Sequence, residues 1–170
     1  MIAVFLTSLS TRYSLLATRY SLFAEECPVS TPTTKVLRAA ARPTKQQPAT
    51  YFVGTVYADE VVVGERPSRM RATRVTFTPG ARTTWHTHPV GQVLHCLHGT
   101  GRVQQEGQPV IELQPGDTVM IPPDVRHWHG SAAGYLFAHL AMSEVNDRGD
   151  GTVWLEPVSD ADYTKKPGSV

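Results

Sequence analysis

From Tyr51 onward the chain runs in short bursts of alternating apolar and polar residues. These are YFVGTVYA (51–58), RATRVTF (71–77), TTWHTH (83–88), QVLHCLH (92–98), GRVQQ (101–105), PVIEL (109–113), DTVMIP (117–122) and YLFAHLAM (135–142). Each is rich in β-branched and aromatic residues, which suit a pleated, half-buried surface. Turn residues punctuate them: Pro79-Gly80, Pro89-Val90-Gly91, Gly99-Thr100-Gly101, Pro115-Gly116-Asp117 and Pro122-Pro123-Asp124. Strands at roughly ten-residue spacing, with no sustained helical period, predict an all-β sandwich or barrel. A single short helix is expected over 160–166, started by Ser159 or Asp160.

The first 45 residues do not share this pattern. TRYSLLA (11–17) is followed at once by TRYSLFA (18–24), a seven-residue period with too few copies for a coiled coil. MIAVFL is too short for the apolar core of a signal peptide, and Arg12 and Arg19 interrupt the residues after it. No apolar run approaches the length of a membrane span. The segment reads as a disordered or mis-assigned extension over 1–45, with a cryptic export peptide as the alternative. A single domain is expected over 46–170.

Composition narrows the class only slightly. Of the 170 residues, 41% are hydrophobic and 18% charged, as in a soluble globular protein. The net charge of +1 gives no support to nucleic-acid binding. It is unevenly spread: six basic and two acidic residues through residue 45 give +4, leaving −3 for the rest. Cys27 and Cys96 make no disulfide framework, so a reducing cytoplasm is the default compartment.

The chemistry sits in WHTHPVGQ (85–92). Alternate residues of a strand share a face, so His86 and His88 aim two imidazoles into one space, with Thr84 beside them. After a bend, Gln92 opens a segment whose in-phase residues are Leu94, Cys96 and His98. RHWHG (126–130) adds His127 and His129 on one face, with Trp128 opposite. Trp85 and Trp128 are expected in packing between sheets or subunits. His95 is out of phase, and neither it nor His98 is given a role.

These residues carry a resemblance. Gly80, His86, His88, Gln92 and Gly99 are spaced as in the first cupin motif, with Gln where Glu is usual. Gly116, Pro122 and His127 are spaced as in the second, with Asp124 where a glycine, and Ser131 where an asparagine, is usual. VTFTPGARTTWHTHPVGQ, PGDTVMIPPDVRHWHG and FAHLAM together resemble the bacterial cupin hydroxynitrile lyases, small manganese proteins that also carry Gln as a ligand. The likeness runs from about Tyr51 to Tyr163. It implies a double-stranded β-helix, or jelly-roll barrel, and makes His86, His88, Gln92 and His127 the metal ligands. It also implies a pocket histidine at His139, the first catalytic candidate; His129, inward by its phase, is the second, as pocket lining or as a partner of a ligand.

Three imidazoles and an amide are neutral ligands, which leave an ion its full charge and a stronger Lewis acidity while holding it less firmly. Gln92 as a hydrogen-bonded core amide is the alternative, as is a structural role for His129 or His139. Mn(II) is the expected ion; N/O sets also accept Fe(II), Ni(II), Co(II) or Zn(II). Val75, Leu94, Cys96 and Phe137 are expected to line the substrate pocket, Cys96 as a small hydrophobe rather than a nucleophile. The resemblance implies cleavage of an α-hydroxynitrile to an aldehyde or ketone and cyanide. A non-haem iron dioxygenase and a non-catalytic ligand-binding cupin are the rivals. The expected partners are a small-molecule substrate and further copies of the chain, as dimer or tetramer, with neither nucleic acid nor membrane.

Overall fold

A computed structural model describes residues 33–168. The TRYSL repeat, the disorder expected for most of the first 45 residues and the cryptic export peptide lie outside the described residues, in whole or in large part. Of the described residues, 36–168 form one compact unit.

Among the described residues, short strands build two antiparallel sheets. The first sheet contains β1 (Lys45–Gln46), β3 (Val56–Val63), β4 (Met70–Phe77), β7 (Gln92–Gly99), β10 (Thr118–Ile121) and β12 (Phe137–Glu144), in the order β1-β3-β4-β12-β7-β10. The second contains β2 (Phe52–Val53), β5 (Arg82–Thr83), β6 (His86–Thr87), β11 (His127–Ser131) and β13 (Val153–Trp154), in the order β13-β6-β11-β5-β2. It is extended by β8 (Gly101–Gln105) on β11 and β9 (Ile111–Leu113) on β8. This is the all-β architecture that the alternation predicts.

The inner face of the first sheet is graded from end to end. Strand register sets Phe77 opposite Phe137, then Val75–His139–Cys96, then Thr73–Ala141–Leu94, then Arg71–Ser143–Gln92. Aromatic and aliphatic side chains fill one end; polar ones line the other. Phe52, Val56, Val75, Phe77, Cys96 and Phe137 belong to the central apolar cluster. A second cluster of Trp85, Val110, Trp128, Val158 and Tyr163 gathers where the C-terminal segment packs against the second sheet. Trp85 and Trp128 therefore pack within the chain. Trp128 donates its indole N–H to Gln104 Oε1 at 2.8 Å, and Tyr163 donates its hydroxyl to Ser131 O at 2.9 Å. The helix α1 spans Asp160–Tyr163, shorter than expected, with Ser159 Oγ accepting from the Asp162 N–H at 3.0 Å.

Three local departures have physical causes. The strand expected over 83–88 is broken between Thr83 and His86, where the Trp85 N–H donates to Glu156 O and its carbonyl accepts from Leu155 N. A register shift on β12 at Ala138/His139 sets Cys96 and His98 against consecutive residues. The phase of β7 then flips, so His98 is exposed although counting by twos places it inside. Asp124 has φ 59°, a left-handed conformation that glycine adopts freely and that Asp tolerates better than most residues.

Lys45 pairs with Ala58, and Thr44 Oγ1 donates to Asp59 Oδ1 at 2.6 Å, so the folded unit takes in residues N-terminal to Gln46. A chain beginning at Val36 is expected to melt within a few degrees of full length. One beginning at Gln47 loses β1 and should melt lower. Equal midpoints for the two would show that this edge strand contributes no stability.

Candidate metal centre and cavity

Four backbone elements converge on one cluster of rings. β6 supplies His86, the following turn His88, β7 Gln92, and β11 both His127 and His129. Gly91, at φ +88°, makes the bend between His88 and Gln92; a Cβ there would lie 2.7 Å from the Ile121 carbonyl oxygen, so the turn requires glycine. All five side chains are buried. Ring centroids lie 4.1 Å apart for His86 and His127, 5.3 Å for His86 and His88, and 5.2 Å for His86 and His129.

Three of the histidines are held in the same way. Nδ1 of His86 lies 3.0 Å from Thr84 O, Nδ1 of His88 lies 2.6 Å from Gly151 O, and Nδ1 of His127 lies 2.9 Å from Val125 O. A carbonyl only accepts, so each Nδ1 carries the proton and donates, which leaves Nε2 as the lone-pair nitrogen. This is how a protein orients an imidazole ligand for a metal. His88 Nε2 is buried with no hydrogen-bond partner. His127 Nε2 faces Gln92 Oε1 at 3.2 Å, two acceptors brought together as ligands of one cation would be.

His86, His127 and His129 each offer a ring nitrogen within 4.8 Å of one another, and this three-histidine cluster fits a divalent metal. His129 is bonded differently from the other three. Its Nδ1 lies 3.2 Å from Nε2 of His139, which is fully buried on β12 between Phe77 and Phe137.

Burial disfavours the charged form of every one of these rings. It pushes His86 and His129 well below the ordinary histidine range, with neighbouring histidines adding to the effect. It lowers His88 against an opposing bond to Gly151, takes His127 down to about 4, and takes His139 down to about 3. The cluster is neutral at pH 7. An unfolded chain, with histidines near 6.5, binds more protons than the native state below that pH. Stability from these groups is present above about pH 6.5 and is lost progressively as pH falls toward the folded values. Metal-free protein should therefore show a lower denaturant midpoint at pH 5 than at pH 7.5. A midpoint unchanged between the two would contradict neutral burial.

A cavity of about 220 Å³ opens beside the cluster. Its walls include His86, His88, Gln92, His129, Val75, Phe52, Thr73, Arg71 and Trp154. Of the four residues expected to shape the pocket, Val75 lines it. Leu94, Cys96 and Phe137 are buried away from it, the last two in the central apolar cluster. His139 lies one layer back, behind His129, rather than on the cavity wall. Burial raises the Cys96 thiol to about 11, which fits an inert core residue.

Trp154 is the participant that sequence reasoning missed. It lies on β13, 4.9 Å from the His86 ring and stacked at 4.8 Å on Tyr51. The only hint was the apolar triplet Val153, Trp154 and Leu155 beyond the loop. A larger groove of about 510 Å³, lined by Val93, Met120 and Met142 among others, contains none of the histidines.

Fold and site together define a cupin, and the chain belongs to that family. The family described as the cupin domain matches residues 73–134. More narrowly, the chain is a cupin resembling the hydroxynitrile lyases. It is 40% identical over 131 residues to the (R)-mandelonitrile lyase of Granulicella tundricola, covering 77% of this chain and 99% of that protein. A cupin-like protein from Thermotoga maritima superposes with a TM-score of 0.65 at 35% identity, over 69% of this chain and 89% of the other. A polyketide cyclase from Streptomyces resistomycificus shares the fold, with a TM-score of 0.61 at 15% identity over 77% and 91% of the two chains.

Proposed function

We propose that this cupin is a lyase that splits small α-hydroxynitriles into an aldehyde or ketone and hydrogen cyanide. The observation that carries the reading is a neutral imidazole cluster, backed by a buried histidine pair, on the wall of a cavity sized for a small organic molecule. The similarity to a mandelonitrile lyase supports the choice of reaction.

His86, His88, Gln92 and His127 would hold the metal, for which Mn(II) is proposed. The three carbonyl-anchored rings each present Nε2, and Gln92 presents its amide oxygen. When bound, a divalent ion supplies Lewis acidity toward the substrate's hydroxyl or nitrile. His129 faces the cavity, and His139 supports it from behind. If His139 accepts from His129 Nδ1–H, His129 Nε2 is left with the lone pair. That nitrogen takes the proton of the substrate hydroxyl. The C–O bond becomes a carbonyl as the bond to the nitrile carbon breaks. The electron pair leaves with cyanide, which recovers the proton as hydrogen cyanide. Phe52, Val75 and Trp154 give the substituent an apolar and aromatic wall.

The direct test is cyanide release from mandelonitrile, run with and without oxygen. Cyanide release independent of oxygen supports the lyase; oxygen uptake would move the assignment to a dioxygenase. Gln92→Glu adds a negative charge beside the ion. It should slow metal loss to a chelator and lower turnover, because the Lewis acid is partly neutralised. Higher turnover in this variant would contradict the role given to the neutral amide.

A further inference from the structure

The inner row nearest the cavity mouth reads Arg71–Ser143–Gln92 across β4, β12 and β7. Arg71 lines the cavity, and no described Asp or Glu does. Its neighbours Arg69 and Arg74 are satisfied by acids: Arg69 pairs with Glu144 and Asp147, and Arg74 with Asp59. Arg71 makes no ion pair with any described residue. Beside it are the Ser143 and Thr73 side chains, both lining the same space.

The approach is cationic as well. An adjoining cavity of about 490 Å³ shares Gln47, Ala58 and Thr73 with the first, and adds Arg42 and Lys45 against the single acid Glu60. A guanidinium is a planar fork of donors that matches a carboxylate in two parallel bonds. Arg71 stands exposed on the cavity wall with no acidic partner among the described residues, free to pair with an anion.

We propose that the cavity takes substrates carrying a carboxylate, which Arg71 holds near the mouth while the reacting hydroxyl points toward the histidines. This rests on the lyase reading for the reaction and adds the substrate class: an α-hydroxynitrile with a carboxylate at its far end. Two strand spacings separate Arg71 from Gln92, about 10 Å between Cα atoms. That span leaves room for a ring or short chain between the anchored and reacting ends.

The test uses the full-length protein as purified and two probes of one shape, 4-(hydroxymethyl)benzoate and 4-(hydroxymethyl)benzamide, with binding measured by calorimetry. The benzoate should bind about tenfold more tightly, the scale of one charge-assisted contact at a partly solvated site. The preference should weaken with added salt. Arg71→Gln should erase it without weakening the amide, and Arg71→Lys should keep part of it. No preference in the wild type overturns the proposal without any variant being needed. So does a preference unchanged in Arg71→Gln, or one abolished by EDTA but not by Arg71→Gln, since the carboxylate would then be reading the ion. Mandelonitrile, which has no carboxylate, separates the two readings. If neither it nor its 4-carboxylate derivative yields cyanide while the Arg71-dependent preference holds, the lyase assignment fails and the anion site stands.

Discussion

His127→Ala is expected to lose bound metal and activity together. The ring is anchored by Val125 O at Nδ1 and turns Nε2 toward Gln92, close to His86. Removing an outer partner of a ligand already costs roughly 10–100-fold in affinity or activity, so removing a ligand should cost more. Metal content by elemental analysis and cyanide release should be read on the same folded sample. Normal metal content would take His127 out of the ligand set. The same assay decides between His88 and His129, because the compact trio of ring nitrogens contains His129 and not His88. His88 has the carbonyl anchor and the unpartnered Nε2, whereas His129 is committed to His139. His88→Ala should lose metal and His129→Ala should keep it. The reverse result would assign the ion to His86, His127 and His129.

The second large effect concerns the histidine pair. His139→Ala should retain metal, because the side chain lies behind His129, yet lower turnover by about 10²–10⁴, the usual worth of positioned proton transfer. His129→Ala should cost at least as much, and the double variant little more than the worse single one, since residues acting as a unit are not additive. The deficit should shrink at high pH, where the hydroxyl needs less help. His139→Gln retains hydrogen-bonding groups and serves as the folding control. A folded, metal-loaded His139→Ala protein working at full rate would make this histidine structural.

The inward direction of the site histidines was legible because period two on a strand is a strong geometric rule, and WHTHPVGQ and RHWHG obey it even across the break at Trp85. Position within the barrel was not. Val75, Leu94, Cys96 and Phe137 all face inward and are buried, yet of the four only Val75 lines the cavity: Phe137 lies at the packed end, and Cys96 and Leu94 lie on β7, across β12 from the β4 residue Val75. Arg71 was passed over for the same reason: alternation marks its face, but only the register with Ser143 and Gln92 shows that it stands at the open end. Long-range pairing put Trp154 beside the histidines, as Trp154 lies opposite His86 on a neighbouring two-residue strand too short to announce itself. Lys45 was counted with the N-terminal extension because an edge strand of two exposed residues has no apolar face to display.

The carbonyl anchors of His86, His88 and His127 belong to Thr84, Gly151 and Val125, and the bond is to the main chain in each case. Side-chain replacement at those three positions leaves the accepting carbonyl in place, so an alanine scan would not remove the anchor itself. What the site demands is the path of the backbone. For His88 that path runs through a loop 63 residues downstream, where Thr152 Oγ1 also lies 3.4 Å from Nδ1, so a deletion or insertion near Gly151 would release the ring more fully than the loss of any one side chain there.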